Sequence, residues 1–450
     1  PDLDSIPMNK TARGIIFWFF IAAFLIGAPL SVLYTAGFRY NIKNGNFVRT
    51  GVISISSEPR NASISLNNVP LNKETPYVIK RLIPDEYEVT LSKPGFHTWS
   101  TETEVFSGIT TILESILLFK DATPQALFIK DVQKITPNPN GESLAYTVIQ
   151  KGWAEIWLYD TEEKTEQLID RIGLQSLSDI DLQWSAQGSF PLATDIEQNV
   201  SHIFNNSGEP IPVDEELFAN ADQLFWHPSQ ESILYLSNET ELNQLDVITT
   251  NITTFDQKSS VTVLIDASII TLFDNGANTE LKQTIGDETN LIALLPKAEY
   301  TIAHRDTSFF ILTDTRNNIF LVDIGSSQPI LMQTQASVFD WHDEKNELAY
   351  SDGNEVNIYS PESHATEFIT RQSALIHQIA WHPSGKSLLM TTKNNISTVD
   401  RYKIGKHRAT VTLLEAEDIA TMSITQDGQF AYLYGIIDGA LGLYELALTR

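Results

Sequence analysis

A Trp-His pair at the start of a polar turn recurs along the chain, and its spacing constrains the fold of about three-quarters of it. The clearest copies are Trp226-His227-Pro228-Ser229, Trp341-His342-Asp343-Glu344 and Trp381-His382-Pro383-Ser384-Gly385. Fainter ones are Thr136-Pro137-Asn138-Pro139-Asn140-Gly141, Trp184-Ser185-Ala186-Gln187-Gly188 and Thr425-Gln426-Asp427-Gly428. Each precedes a short apolar run, as at residues 143–147, 232–236, 347–351 and 387–391, and then a run that often ends in Asp, as at Asp160, Asp323 and Asp400. Trp341 and Trp381 lie 40 residues apart, Trp184 and Trp226 42 apart. The 115 residues from Trp226 to Trp341 leave room for three steps, with two degenerate units between. A unit of this length cannot bury its apolar faces alone, so successive units must pack on one another.

Four short strands per unit at a period near 40 predict a β-propeller over residues 120–450. Units begin near residues 135, 182, 224, 263, 302, 339, 379 and 422, which predicts eight blades, or seven if residues 261–295 are an insertion. The last unit runs out of chain before its fourth strand, and residues 125–129 are the candidate to supply it. Such a closure removes two open sheet edges. The turns resemble the W-S-P-D-G turns of WD-repeat and TolB-like propellers.

The second feature lies near the N-terminus. Between Arg13 and Arg39 stand 25 residues without a charge. As a helix rising ~1.5 Å per residue, they span a hydrocarbon layer of ~30 Å with room to tilt. A signal peptide carries an apolar region of only about 7–15 residues. Residues 14–38 therefore read as an uncleaved transmembrane helix in which Pro29 is tolerated, although Thr35-Ala36-Gly37 offers a poor cleavage site. The alternative is a buried helix of a soluble core. Lys10 and Arg13 before the run nearly balance Arg39, Lys43 and Arg49 after it, so flanking charge says little about orientation. A short tail (1–13), one span and a large body is the signal-anchor layout, which places the body outside the cytoplasm; residues 39–50 read as a juxtamembrane linker. The sequence opens at Pro1 rather than Met, so residues ahead of it are expected.

From Gly51 the pattern switches to alternation. Val52, Ile53 and Ile55 precede a break at Pro59, and Ala62, Ile64 and Leu66 alternate with Ser63 and Ser65. Asn67-Asn68 is turn chemistry, Tyr87, Val89 and Leu91 alternate again, and Lys93-Pro94-Gly95-Phe96 closes a turn. Short antiparallel strands with regular turns predict a small β-sandwich over residues 51–119. The order of Pro59 to Ala62, Thr75-Pro76, the strand Glu86 to Leu91 and Pro94-Gly95-Phe96 resembles the PEGA domain. Of that family's Pro-Glu-Gly-Ala signature, Pro59 and Ala62 are present and Arg60-Asn61 replace the middle pair. The resemblance implies a sandwich module of bacterial and archaeal surface proteins that binds or displays rather than catalyses.

Composition narrows the function classes. A net charge of −27 argues against a nucleic-acid binder, which needs a basic footprint. The absence of cysteine removes disulfides, thiolate metal sites and cysteine nucleophiles; in an exported protein it fits a bacterial envelope. No G-x-S-x-G elbow, P-loop, H-E-x-x-H or strand-borne G-x-G-x-x-G appears. His227, His342 and His382 share one repeat position, which suggests either a metal ring or a packing residue; the repeat itself favours packing. Asp160, Asp246, Asp323 and Asp400 read as turn residues that bond their own backbone. Trp99, beside Phe96 and His97, is either a sugar platform or sandwich core. Trp153 is expected at a rim where a partner could touch it, and Trp157 in the core.

Together these features predict a mainly β, non-enzymatic, single-pass scaffold of the cell membrane with its body extracytoplasmic. No catalytic, cofactor or metal residue is assigned, and no cofactor is expected. The expected partners are the membrane, through residues 14–38, and an envelope protein or surface polysaccharide; nucleic acid is not one. The rival readings are an extracytoplasmic carbohydrate-binding protein and a glycan-active enzyme using the propeller funnel.

Overall fold

A computed structural model describes residues 10–449 apart from 42–44, 140, 174–179, 228–229, 239–240, 257–260, 266–267, 286–287 and 306–308. Most of the predicted tail, and Asn140, Pro228 and Ser229 of the repeat turns, lie outside these residues. The chain divides into two units, Pro1–Leu118 with Tyr402–Ala409, and Phe119–Arg401 with Thr410–Arg450.

The first unit begins with a helix, Lys10–Thr35, rather than residues 14–38. Gly37 ends it early: its φ of +87° is left-handed, which glycine adopts without penalty. Ala36 N–H donates to Val32 O at 2.8 Å and Gly37 N–H to Tyr34 O at 3.3 Å, closing the last turn. Arg13–Thr35 is long and apolar enough to be a membrane span or a signal sequence. The predicted linker is also not plain coil: Phe38–Asn41 pairs with Asn46–Arg49 as a hairpin.

The sandwich follows as two sheets. One holds Tyr77–Leu82, Gly51–Glu58 and Thr110–Leu117; the other holds Val69–Glu74, Ser63–Leu66, Glu86–Ser92 and Trp99–Glu104. Gly51–Glu58 alternates buried and half-buried positions, sending Ile53 and Ile55 into a core with Ile64, Val89, Leu91 and Leu113. The expectation of antiparallel strands fails at one pair, because Gly51–Glu58 and Thr110–Leu117 run parallel. Alternation has the same period in either direction, so it carries no direction signal. Ser57 and Thr75 hydroxyls lie 2.6 Å apart, and Ala62 N–H donates to Thr75 Oγ1 at 3.1 Å, joining the two stretches that carry the family signature. Residues 402–409 complete this unit, with Lys406 N–H donating to Glu102 O at 2.6 Å and Thr101 Oγ1 to Ile404 O at 2.8 Å.

In the second unit the described residues form eight antiparallel sheets. Seven have four strands, and in six of these the strands follow one another in chain order, as in Lys134–Pro137, Ser143–Gln150, Trp153–Asp160 and Thr165–Gly173. Gln125–Phe128 pairs with Ala440–Ala447, so the start of the unit supplies the last sheet's fourth strand. The sheet beginning at Ile180 has three strands where four were expected. After Val200–Ile203 the chain meets Pro210 and Pro212, which have no N–H for a ladder. A short helix, Glu215–Ala219, capped by Asp214, follows instead and packs Phe218 with Leu192, Ile203 and Trp226.

Candidate functional site

The repeated Trp lies at or next to the end of the first strand of its sheet, and first strands of successive sheets are neighbours, as Lys134–Pro137 with Ile180–Trp184 and Val338–His342 with Gln378–Trp381. Trp184 Nε1–H donates to Thr136 O at 3.0 Å and Trp381 Nε1–H to Asp340 O at 3.2 Å. Each indole thus fastens its sheet to the one before. The residue after Trp fastens it to the one behind. His382 Nε2 donates to Gly428 O at 3.0 Å while Nδ1 accepts Ser384 N–H at 3.2 Å. At the matching position Asn138 Nδ2–H donates to Gly188 O at 2.9 Å. His227, His342 and His382 are all buried in such junctions. Among the described residues no group of three or more His, Asp or Glu side chains is placed to hold a metal ion.

Three of the four Asp positions also act locally. Asp160 Oδ1 accepts Glu162 and Glu163 N–H at 2.9 and 2.7 Å, Asp246 Oδ1 accepts Ile248 N–H at 3.0 Å, and Asp323 Oδ1 accepts Gly325 N–H at 2.9 Å. Asp400 is buried at the end of Asn395–Asp400.

Two axial cavities lie between the first strands. The larger, about 770 Å³, is bounded by Asp181 and Gln183 on Ile180–Trp184, by Gln223 and His227, and by Thr301. Burial pushes the Asp181 carboxyl up, but ion pairing to Lys134 and the 2.7 Å bond from Gln183 Nε2 more than reverse this and hold it below the usual range. The smaller, about 480 Å³, contains Asp340 and Gln378. Burial raises the Asp340 carboxyl to about 7, against the opposing bond it accepts from Trp381 N–H at 2.7 Å. Gln378 pairs with the next sheet through Met422, donating to its O at 2.6 Å and accepting its N–H at 2.9 Å. Glycoside hydrolysis needs two carboxyl groups about 5–9.5 Å apart across one bond. Among the described lining residues each cavity presents one.

The larger cavity borders exposed apolar surface. Ile196, which lines the cavity, is 59% exposed, and Trp153 on the adjoining sheet is 51% exposed. Both sit where the second strand of a sheet turns into the third, on adjoining sheets. Gln198 Nε2 donates to Gly173 O at 2.7 Å, and the Trp153 ring covers Gly173, so the two turns share one support. Trp157 is half-buried, stacked on Tyr146 with ring centroids 6.2 Å apart. Trp99 is 2% exposed in the sandwich core and offers no ring to a ligand.

Sequence reasoning passed over several charged groups. Lys130 Nζ lies 4.5 Å from the Trp157 ring centre and 2.6 Å from Glu166, whose other oxygen accepts Tyr146 O–H at 2.7 Å. These residues are far apart in sequence, and no local pattern marks them. Asp170 and His202 form an ion pair between the first two sheets. The hydrogen bond that His202 Nδ1–H donates to Asp170 raises the His202 pKa; burial pushes Asp170 up, but the bonds it accepts from His202 and Arg171 N–H bring it below the usual range. A raised His pKa gives stability that is full below about pH 6.5 and lost as pH rises through the folded value, and a lowered Asp pKa gives stability lost in acid. The melting temperature is expected to fall from about pH 6 to 8, and His202→Gln to flatten that decline. An unchanged slope in the variant would refute the assignment.

Residues 50–117 match the family model of the PEGA domain. This segment is a PEGA domain. Its signature stretches are those joined through Ser57, Ala62 and Thr75. No curated protein matches the sequence. Among solved structures, the chain is similar to Sqt1 of Saccharomyces cerevisiae, at 9% identity and TM-score 0.50, over 72% of this chain and 100% of that one. It is similar to the Dos1 propeller at 14% identity and TM-score 0.50, over 72% and 95%. Likeness at this identity speaks for the fold alone, and the fold is a β-propeller that follows the apolar helix and the PEGA domain in the sequence. The helix is long and apolar enough to cross a membrane.

Proposed function

We propose that this protein is a single-pass, membrane-anchored, non-enzymatic scaffold whose eight sheets form the blades of one propeller, with the PEGA domain as spacer and the body outside the cytoplasm. Its propeller binds another envelope protein at the rim formed by Trp153 and Ile196. The observation that carries this reading is an exposed Trp and an exposed Ile on one support, the Ile lining a cavity, the arrangement of an interface anchor. The axial carboxyl groups support it from the other side, since Asp181 is already neutralised by Lys134.

Co-sedimentation of the full-length protein in detergent tests the proposal, using cell envelope either stripped of protein or not. Pelleting is expected only with the unstripped material. Trp153→Ala is expected to weaken it by about tenfold or more, the loss of a central aromatic anchor. Equal pelleting with stripped wall would favour the carbohydrate-binding reading instead.

A further inference from the structure

The juxtamembrane hairpin carries features that neither the PEGA domain nor the propeller uses. On the hairpin's side of the helix, residues 36–57 contain three basic side chains (Arg39, Lys43 and Arg49) and no acidic one, in a chain of net charge −27. Phe38–Asn41 and Asn46–Arg49 are strands of four residues each, and a two-stranded hairpin of that size is marginal in water by itself. Tyr40 stands directly opposite Phe47, with ring centroids 5.3 Å apart, and both rings are about half exposed, at 52% and 50%. Two large aromatics side by side in water are a cost unless something covers them.

The hairpin is fixed to the end of the helix. The Arg39 guanidinium donates to Tyr34 O at 3.0 Å and Phe38 O at 2.8 Å and lies 3.7 Å from the Tyr34 ring centre. Thr50 closes the other end, donating from N–H and Oγ1 to Gly37 O, each at 2.9 Å. It is also fixed to the PEGA domain. Ser107 Oγ donates to Arg49 O at 3.1 Å, and the loop around Gly108, which lies against the Arg49 side chain, exposes Phe106 and Ile109.

We infer that this hairpin and the Phe106–Ile109 loop lie in the phospholipid headgroup layer of the bilayer that the helix crosses, setting how closely the PEGA domain rides on the membrane. The inference rests on the proposed membrane span. The hairpin begins within three residues of the helix end, so its aromatics sit where the span leaves the hydrocarbon. Tyr and Trp concentrate at that level because their rings are apolar and their edges polar. Arg pairs with phosphate oxygens, and each basic side chain near an anionic surface adds about 1 kcal/mol of attraction. The net negative charge of the chain opposes approach to such a surface, and the acid-free basic segment of the hairpin offsets it.

The absence of native cysteine allows single-site labelling. The full-length protein would be reconstituted in phosphatidylcholine–phosphatidylglycerol vesicles with a fluorophore at Asn46→Cys, Phe24→Cys or Ile248→Cys. Nitroxide-bearing lipids would report depth. The expected result is strong quenching of the Asn46 label by headgroup nitroxides, of the Phe24 label by mid-chain nitroxides, and of the Ile248 label by neither. Adding Tyr40→Ser and Phe47→Ser is expected to abolish most headgroup quenching at Asn46 while quenching at Phe24 in the same background persists. An Asn46 label quenched as weakly as Ile248, with Phe24 strongly quenched, overturns the inference and leaves the span standing. Loss of quenching at Phe24 in the otherwise native protein overturns the span and this inference with it.

Discussion

Arg401→Ala is expected to destabilise the propeller by about 3–5 kcal/mol, because it strands a buried carboxylate. The Arg401 side chain is 8% exposed and grips Glu347, itself 12% exposed, through Nε and Nη2 at 2.7 Å each, with Nη1 2.6 Å from Glu367. Burial alone would lower the arginine's pKa, and the two carboxylates reverse that and raise it. Arg401 follows the third strand of one sheet, whereas Glu347 and Glu367 lie on the second and fourth strands of the sheet before. The cluster therefore ties two sheets together away from the Trp junctions. Glu367 is 49% exposed, so Glu367→Gln is expected to cost less than about 1 kcal/mol. Replacing Arg401 and Glu347 together by Met and Leu is expected to recover most of the loss, since removing both charges leaves neither one buried alone. Urea unfolding followed by tryptophan fluorescence measures all three. An Arg401→Ala variant within about 1 kcal/mol of the parent would show that the pair is not desolvated as described.

Gly188→Ala is expected to cost roughly 2–5 kcal/mol, from two separable causes. Gly188 has φ +84°, which costs an alanine about 1–2 kcal/mol. Its Cβ would also fall 1.8 Å from Asn138 Oδ1, inside a buried side chain that bonds both Gly188 O and Ser143 Oγ. Displacing that amide adds overpacking and unpaired polar atoms, about 1–3 kcal/mol. Gly152 separates the two, for it has φ +85° and nothing within 4 Å of a Cβ. Gly152→Ala should therefore show the backbone cost alone. Equal losses at the two glycines would mean that the sheet junction at Asn138 contributes nothing.

The same residues show what could be read from the chain and what could not. Trp184, Trp226, Trp341 and Trp381 advertised the sheets because each meets the sheet before it, through an indole hydrogen bond at Trp184 and Trp381 and through ring contact with Phe190 and Phe309 at Trp226 and Trp341. The glycine of the turn belongs to that fastening: Gly188 and Gly428 have positive φ and receive Asn138 and His382 from the preceding sheet. Shared position had suggested a metal ring for the histidines, but what recurs is a contact between neighbouring sheets. Trp99 is a different case, since an aromatic after a Pro-Gly turn looks alike in sequence whether it faces a ligand or the core.

Local chemistry was legible wherever the cause is local. An uncharged run of 25 residues has to be a helix where no water can satisfy its backbone, alternation has to be a strand with one buried face, and Asp at a strand end has to turn the chain. The sequence by itself thus determined the helix, the sandwich and the repeating sheets, down to the strand Gln125–Phe128 that completes the last one. Only the tertiary structure decided the parallel pairing of the sandwich's first and last strands, the inclusion of residues 402–409 in its unit, and the meeting of Arg401 with Glu347 or Lys130 with Trp157. Those contacts join residues tens to hundreds of positions apart. Their energies come from burial and desolvation, which depend on what surrounds a group in space and leave no periodic trace in the chain.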